Sequence, residues 1–290
     1  MATDRRIRER IRDLKKEFDR LKNGKTALLA VLDEAEVPEA VYNSNAIENS
    51  TLTLSDTEKI LLEAEAQVEA SSREIFEAKN LARVSGYVRK HADTREIDKE
   101  TILLLHKMLI TGIRDSIAGR FRAVGEYVRV GAHVAPAPEH VERMIDAALS
   151  DYASDHETYA MDKVARFHLD FEHMHPFCDG NGRIGRVLVN WHLARLGFPP
   201  IIIRDKEKRL YYAAFPEYRD KKSAKGMEKV LALGLTESLH KRIAYLNSTE
   251  IIPLTEYAKR HGKSGAVLGN LARRQNIPAF RERGVWKIAV

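Results

Sequence analysis

Of the 290 residues only one, Cys178, is a cysteine, which excludes an intrachain disulfide and makes a reducing cytoplasm the simplest expectation. No apolar run approaches the about 20 residues of a membrane-spanning helix, so no membrane contact is expected. The start of the chain lacks the apolar stretch of a signal peptide. Instead Arg5, Arg6, Arg8, Arg10, Arg12, Lys15 and Lys16 interleave with acids there and read as a solvated helix. Internal repeats and low-complexity tracts are missing. A charge imbalance is missing too over most of the chain. There are 48 basic and 42 acidic residues, and removing the eight bases and two acids between Ile251 and Val290 leaves the two signs equal. The whole excess of +6 therefore sits in the last forty residues.

What is present is concentrated between 175 and 186, where the chain reads His-Pro-Phe-Cys-Asp-Gly-Asn-Gly-Arg-Ile-Gly-Arg. Pro176 disfavours α geometry at the residue before it, so a helix through Val164, Phe167, His168, Phe171 and Met174 should end near His175 and leave its imidazole at a loop mouth. Gly180 and Gly182 can take positive φ, which lets backbone N–H groups converge on an anion at the start of the next helix. Arg183 and Arg186, three apart, share a face of that helix, and their forked donors suit phosphate. Asp179 can hold Mg²⁺ through one carboxylate while phosphates supply further ligands. Imidazole, with an ordinary pKa of about 6.5, is a fit general base.

At these residues the chain resembles the Fic family, whose core motif is His-Pro-Phe-x-Asp/Glu-Gly-Asn-Gly-Arg-x-x-Arg, and the resemblance extends roughly over residues 36 to 245. It implies a helical enzyme that moves AMP from ATP to a hydroxyl side chain of a target protein. His175 would be the general base, with Asp179 on the Mg²⁺ that bridges the α and β phosphates. Asn181 and the backbone at Gly180 and Gly182 would hold the phosphates, Arg183 would serve the leaving side, and Arg186 would bind the γ-phosphate. Phe177 would anchor the loop. Upstream, Ser44-Asn45-Ala46-Ile47-Glu48-Asn49 resembles the family's inhibitory segment: Ser44, Glu48 and Asn49 match its pattern, and Glu48 would pair with Arg186 and displace the γ-phosphate. Alone, the same six residues read as an ordinary surface helix. In some members this glutamate supports removal of AMP, so a de-AMPylating hydrolase at the same site is an alternative.

Between these segments, Gly119-Arg120-Phe121-Arg122 and Gly125 to Val134 alternate as a short β-hairpin would. By resemblance it is a flap that aligns the target by strand addition through Val128, Val130, Gly131 and His133; read without the family it is equally a hairpin covering core. Tyr211 or Tyr212 falls where the family places a tyrosine near adenine, although aromatic residues at that spacing also suit a core. Trp191, His192 and Cys178 read as packing residues. His168, Glu172 and His175 also share one helical face, as in dinuclear carboxylate enzymes, a class that needs a second Glu-x-x-His helix, but the Gly-Asn-Gly-Arg turn has no role in that reading.

Helical spacing recurs through 58–90, 100–112, 140–153, 162–175, 183–196 and 226–245. The expected fold is mainly α, a Fic-type helical bundle with a β-hairpin flap and a small C-terminal domain. Its divisions are 1–112, with the inhibitory helix at about 40–52, 113–245 for the core, and 250–290. In the last, a helix from Leu254 ends at Gly262, a second runs from Ser264 to Arg274, and a Pro278-led hairpin closes on Val285 to Ile288. That order resembles winged helix-turn-helix modules, with Arg273 and Arg274 ending the recognition helix and Arg281 and Arg283 at the wing tip, where DNA phosphates are met. A DNA-binding regulator that uses the nucleotide site as a sensor is the reading from another class. The target protein and homo-oligomer formation are left open.

Overall fold

The computed structural model describes residues 4–64, 68–248 and 250–290. Helices dominate, in the order α1 (Arg5–Leu21), α2 (Thr26–Ala35), α3 (Val37–Ile47), α4 (Leu54–Leu61), α5 (Ser72–His91) and α6 (Lys99–Ile110). A hairpin of β1 (Arg129–Val130) and β2 (His133–Val134) follows, then α7 (Val141–Ser154), α8 (Ala160–Met174), α9 (Asn181–Arg195), α10 (Lys208–Lys221) and α11 (Lys225–Leu246). The C-terminal unit is β3 (Ile251–Pro253), α12 (Leu254–Arg260), α13 (Gly265–Arg273), β4 (Ala279–Glu282) and β5 (Val285–Ala289).

The pair α8 and α9 is the middle of the molecule, apolar on two sides. Phe167 and Phe171 of α8, with Ile184, Leu188 and Trp191 of α9, face a core shared with α5 and α6. Val164 and Leu169, with Val189 and Leu193, face a second core built on α11. A helix buried this way is apolar around most of its circumference, which fixes the loop joining the two helices from both sides.

The starts of α5 and α6 follow from side-chain caps. Ser71 and Glu74 form a capping box at the head of α5, and the Asp98 carboxylate accepts from the Thr101 amide at 2.7 Å to start α6. That box explains why the helical spacing through 58–90 resolves into two helices, α4 and α5; residues 65–67 of it lie outside the described residues. The basic N-terminal stretch is more than a solvated helix, since α1 packs on α11 through Ile11 and Phe18 while its charges occupy the outer face. Helix α3 is shorter than the expected 40–52. It ends at Ile47, and Asn49 adopts φ 69°.

The hairpin is also shorter than the sequence alternation suggests. Residues 119–128 form no strand, because Arg122 turns inward to carbonyl groups and Arg120 is held by both oxygens of Glu126 at 2.7 and 2.8 Å.

In the C-terminal unit the strand order is β3-β5-β4, all antiparallel, around Ile252, Leu268, Phe280 and Ile288. The Arg283-Gly284 turn between β4 and β5 has φ 51° and 78°, as a tight two-residue hairpin requires. Arg281 is not at a wing tip open to phosphate. Its guanidinium lies over the Trp286 ring, 4.5 Å from the centroid, and pairs with Glu237 at 2.6 Å and Glu207 at 2.8 Å, because its position on β4 turns it toward α11.

Trp191 is fully buried and its Nε1–H donates to the Arg95 carbonyl at 3.1 Å. Trp191→Ala should lower the unfolding free energy by about 3–5 kcal/mol in a denaturant titration. A loss under about 1 kcal/mol would mean that the α8–α9 layer tolerates the cavity.

Candidate active site

The loop between α8 and α9 is held by its own side chains. His175 leaves the helix in the left-handed region, φ 44°, while its amide still donates to the Phe171 carbonyl at 3.0 Å. Arg122, almost wholly buried, donates to the carbonyls of His175 at 2.7 Å, Met174 at 3.2 Å and Pro136 at 2.8 Å. A cation thus caps the negative end of α8 and fixes the residue that follows it. The Phe177 ring stacks on His106 with centroids 3.6 Å apart. His106 Nδ1 accepts from the Gly119 amide, so its Nε2–H donates to the Asp179 carbonyl at 3.1 Å. Burial pushes His106 down to about 4, so it stays neutral. Neither Arg122 nor His106 is marked by the sequence as a partner of the loop, since each lies more than fifty residues from it.

Asn181 is placed differently from the phosphate contact expected of its side chain. Its Oδ1 accepts from the Phe177 amide at 2.9 Å and its Nδ2 donates to the Phe177 carbonyl at 2.8 Å, so the amide staples the loop closed. Gly180 takes the expected positive φ of 81°. Gly182 does not, because it lies inside the first turn of α9. What it must be is small: a Cβ there would sit 2.2 Å from Glu48 Oε1.

The two arginines are buried and partnered. Arg183 pairs with Glu77 at 3.0 Å and Asp179 at 3.1 Å, and Asp179 also receives Arg73 at 2.6 Å. Burial raises the Asp179 carboxyl, but Arg183 and Arg73 bring it below its ordinary value, so it is ionised. Arg186 donates through Nε to Ser44 Oγ at 2.9 Å, and through NH2 to the Ser44 carbonyl at 2.8 Å and Glu48 Oε1 at 2.9 Å. Its NH1 is buried with no partner. Glu48 sits at the C-terminal cap of α3, so the negative helix end faces the guanidinium as well. Asn49 lines, with Asp179 and Arg183, a polar cavity of about 270 Å³ on the other side of Glu48.

His175 and Arg186 open into one larger cavity of about 440 Å³, together with Glu48, Glu172, Val130 and His133. His175 Nδ1 meets the Glu172 carbonyl, which only accepts, so Nδ1 carries the proton and Nε2 keeps its lone pair. Burial holds the imidazole below its ordinary pKa. On the hairpin, His133 Nε2 donates to the His173 carbonyl at 2.8 Å, Val130 is exposed, Gly131 makes the turn at φ 57°, and the Val128 carbonyl accepts from Ala135 at 3.0 Å.

Tyr211 and Tyr212 both line the larger cavity, but they differ. Tyr211 is buried, with its hydroxyl 2.8 Å from His168 Nε2, whereas Tyr212 is exposed and donates to the Ile47 carbonyl at 2.8 Å, tying α10 to the end of α3. His168 therefore serves Tyr211 and does not join a metal centre with Glu172 and His175. Among the described residues no three His, Cys, Asp or Glu are grouped to hold a metal.

A left-handed helix end followed by an N–H-lined turn, with a neutral imidazole and the buried Arg186 guanidinium on one cavity and Arg183 on the next, defines a helical domain suited to receive an anion such as a phosphate. Residues 96–193 match the model described as the Fic/DOC family, and this part of the chain is a Fic domain. The chain is 33% identical over 219 residues to a protein adenylyltransferase Fic from Nematostella vectensis, covering 74% of this chain and 50% of that protein. It is 32% identical over 220 residues to the protein adenylyltransferase fic-1 of Caenorhabditis elegans, covering 73% and 42%. It thus spans about half the length, or less, of these relatives. Among solved structures, a Fic domain containing signaling protein from Bacteroides thetaiotaomicron has TM-score 0.74 at 23% identity, covering 82% of this chain and 97% of that one. A Fic family protein from Desulfovibrio desulfuricans has TM-score 0.64 at 18% identity and covers 97% and 96%, so the shared fold includes the C-terminal unit.

Glu172 offers a test of the site's electrostatics. Burial pushes its carboxyl up to about 8, with Glu48 adding to the shift and Arg186 opposing it. A raised acid contributes stability that is full below its ordinary value of 4.5 and is lost as pH rises through about 8. Between pH 5 and 8 the unfolding free energy of the wild type should therefore fall faster than that of Glu172→Gln, by up to about 1.4 kcal/mol per pH unit. Parallel pH profiles would show that Glu172 is ionised throughout.

Proposed function

We propose that this chain is a protein adenylyltransferase, transferring AMP from ATP to a Ser, Thr or Tyr hydroxyl of a target protein, and that Glu48 restrains it by occupying Arg186. The observation that carries the reading is the shared cavity: His175, with a fixed tautomer, and Arg186, held by Ser44 and Glu48, face the same space. The names of the relatives, protein adenylyltransferase Fic and fic-1, support it.

The reaction follows from these parts. His175 Nε2 takes the proton of the target hydroxyl as its oxygen forms a bond to the α-phosphorus of ATP, and the bond to pyrophosphate breaks. Phosphoryl-type transfer needs mainly positioning and charge stabilisation. The first-turn amides of α9 and Arg183 supply the charge, and Arg186 binds the γ-phosphate once Glu48 withdraws. Asp179, an ionised and partly exposed carboxylate beside a polar cavity, fits Mg²⁺ and would hold it together with phosphate oxygens, where it would supply positive charge against the phosphates. Arg73 and Arg183 keep the Asp179 carboxylate in place. Tyr212 is the exposed ring available to adenine. Val128, Val130, Gly131 and His133 align the target backbone beside His175. For the C-terminal unit we retain DNA as a ligand, through the exposed Lys259, Lys263, Arg273 and Arg274 and without Arg281. One cysteine in 290 residues suits a cytoplasmic location.

ATP labelled at the α-phosphate, supplied with Mg²⁺ and cell lysate, tests the reading. Glu48→Gly should incorporate at least about tenfold more label than wild type, the equivalent of about 1.4 kcal/mol of released binding, and Glu48→Gly/His175→Ala should incorporate none above background. Label that is equal in wild type and Glu48→Gly would remove Glu48 as a restraint, and label that survives His175→Ala would remove the base. The pH profile is a second check. Because burial keeps His175 below its ordinary 6.5, transfer by Glu48→Gly should hold constant down to that pH and fall only below it. An acid limb centred above pH 7 would assign the base to another group.

A further inference from the structure

Resting on the transferase reading above, we propose that Glu39 is a positioning residue for the Glu48–Arg186 pair, and that the β4–β5 turn of the C-terminal unit holds it in place. Glu39 lies on the first half of α3 and is almost wholly buried. Its two oxygens accept from the Arg283 amide at 3.0 Å, the Gly284 amide at 3.1 Å and the Arg204 guanidinium. A buried carboxylate requires such partners, and here two of the three are backbone groups of a turn some 245 residues away in sequence. The turn is pinned in addition by Arg283, whose NH2 donates to Glu58 on α4 at 2.6 Å.

The contact reaches the site along a single short helix. One turn after Glu39, the buried Asn43 donates to the Glu39 carbonyl at 2.8 Å and accepts from the Asp205 amide at 3.0 Å. The next residue is Ser44, which takes two hydrogen bonds from Arg186, and Glu48 follows at the helix end. From Glu39 to Glu48 is about 13 Å of helix. A rigid rod of that length carries the register set at one end to the other. Arg204 closes the other side, bridging Glu39 to Glu237 on α11, the same glutamate that receives Arg281 of β4. The C-terminal unit therefore grips α3 directly, through the turn, and indirectly, through Arg204.

Two features set this apart from ordinary domain packing. The grip falls on the one helix that carries both groups holding Arg186. It also consists of hydrogen bonds to a carboxylate, which water or a ligand of the turn can replace, so any molecule that needs the Arg283 and Gly284 amides competes with Glu39 for them. Engagement of the C-terminal unit at its β4–β5 turn then loosens α3 and frees Arg186.

The test uses the full chain with Glu39→Ala and Glu39→Gln, each made in the wild type and in Glu48→Gly. Hydrogen exchange of amides 40–50 and transfer of label from ATP labelled at the α-phosphate are measured together. Loss of the Glu39 hydrogen bonds should speed exchange of that segment by roughly tenfold or more, the range expected when even one hydrogen bond to a charged group is lost. In the wild-type background, transfer should rise by a similar factor, more for Ala than for Gln. In the Glu48→Gly background the same substitutions should leave transfer unchanged, because the restraint is already gone. Unaltered exchange in both variants would overturn the proposal, as would a loss of transfer in both backgrounds, which is the mark of a purely structural role. Should Glu39→Ala fail to fold, Glu39→Gln, which keeps the shape and one acceptor, decides alone. If Glu48→Gly itself transfers no label, the transferase reading fails, and the exchange measurement still settles whether Glu39 sets the order of α3.

Discussion

A guanidinium buried between packed helices must be given partners, and Arg186 imposes that requirement on the whole centre of the molecule. Removing its charge from water costs several kcal/mol unless hydrogen bonds and a counter-charge replace the solvent. Here the hydrogen bonds come from the C-terminal end of α3, which brings a hydroxyl, a carbonyl and a carboxylate to Nε and NH2, while the Tyr211 ring centroid lies 5.8 Å from the guanidinium. NH1 is left over. The arrangement is satisfied enough to be stable and incomplete enough to accept another anion. It also dictates the sequence nearby, since the carboxylate reaches the arginine only across a residue with no side chain, Gly182.

The loop that carries His175 is rigid for a different reason. Asn181 closes it from within, Phe177 is clamped on His106, and Arg122 ties the helix end above it to the base of the hairpin at Pro136. The imidazole is thereby preorganised, and its tautomer is set by a backbone carbonyl that cannot change its role. The ties of the loop and the partners of Arg186 are thus separate sets of contacts, built on the turn and on the start of α9.

Much of this was legible in the sequence, and the reasons differ by residue. The end of α8 at His175 is readable because proline acts on its neighbour, and the positive φ of Gly180 because glycine marks such positions; both are local effects. The mainly helical fold is readable from periodicity. Gly182 shows the limit: two glycines in one motif look alike, yet one serves backbone conformation and the other serves close approach, and only the packed neighbour distinguishes them. Asn181 turning into its own loop, Tyr211 turning into the core and Arg281 turning toward α11 are likewise decisions of tertiary packing. Arg122 and His106 are invisible from the sequence because they meet the loop across more than fifty residues and belong to no motif. The amphipathic character of α1 was in the sequence, hidden by the density of its charges.

The order of the strands in the C-terminal unit bears on when the molecule becomes complete. In the β3-β5-β4 sheet the middle strand is the last one in the chain, so neither neighbour has a partner until residue 285 and beyond are available. The ties within the His175 loop itself, from Asn181 to Phe177 and from His175 to Phe171, span four residues, and short loops close at lower entropic cost than long ones. The contact between Glu48 at the end of α3 and Arg186 spans 138 residues, and that between Glu39 of α3 and the β4–β5 turn spans 245. The His175 loop is thus tied in part by its sequence neighbours, whereas the position of α3 depends on segments far from it in sequence, which must be brought together at a larger entropic cost.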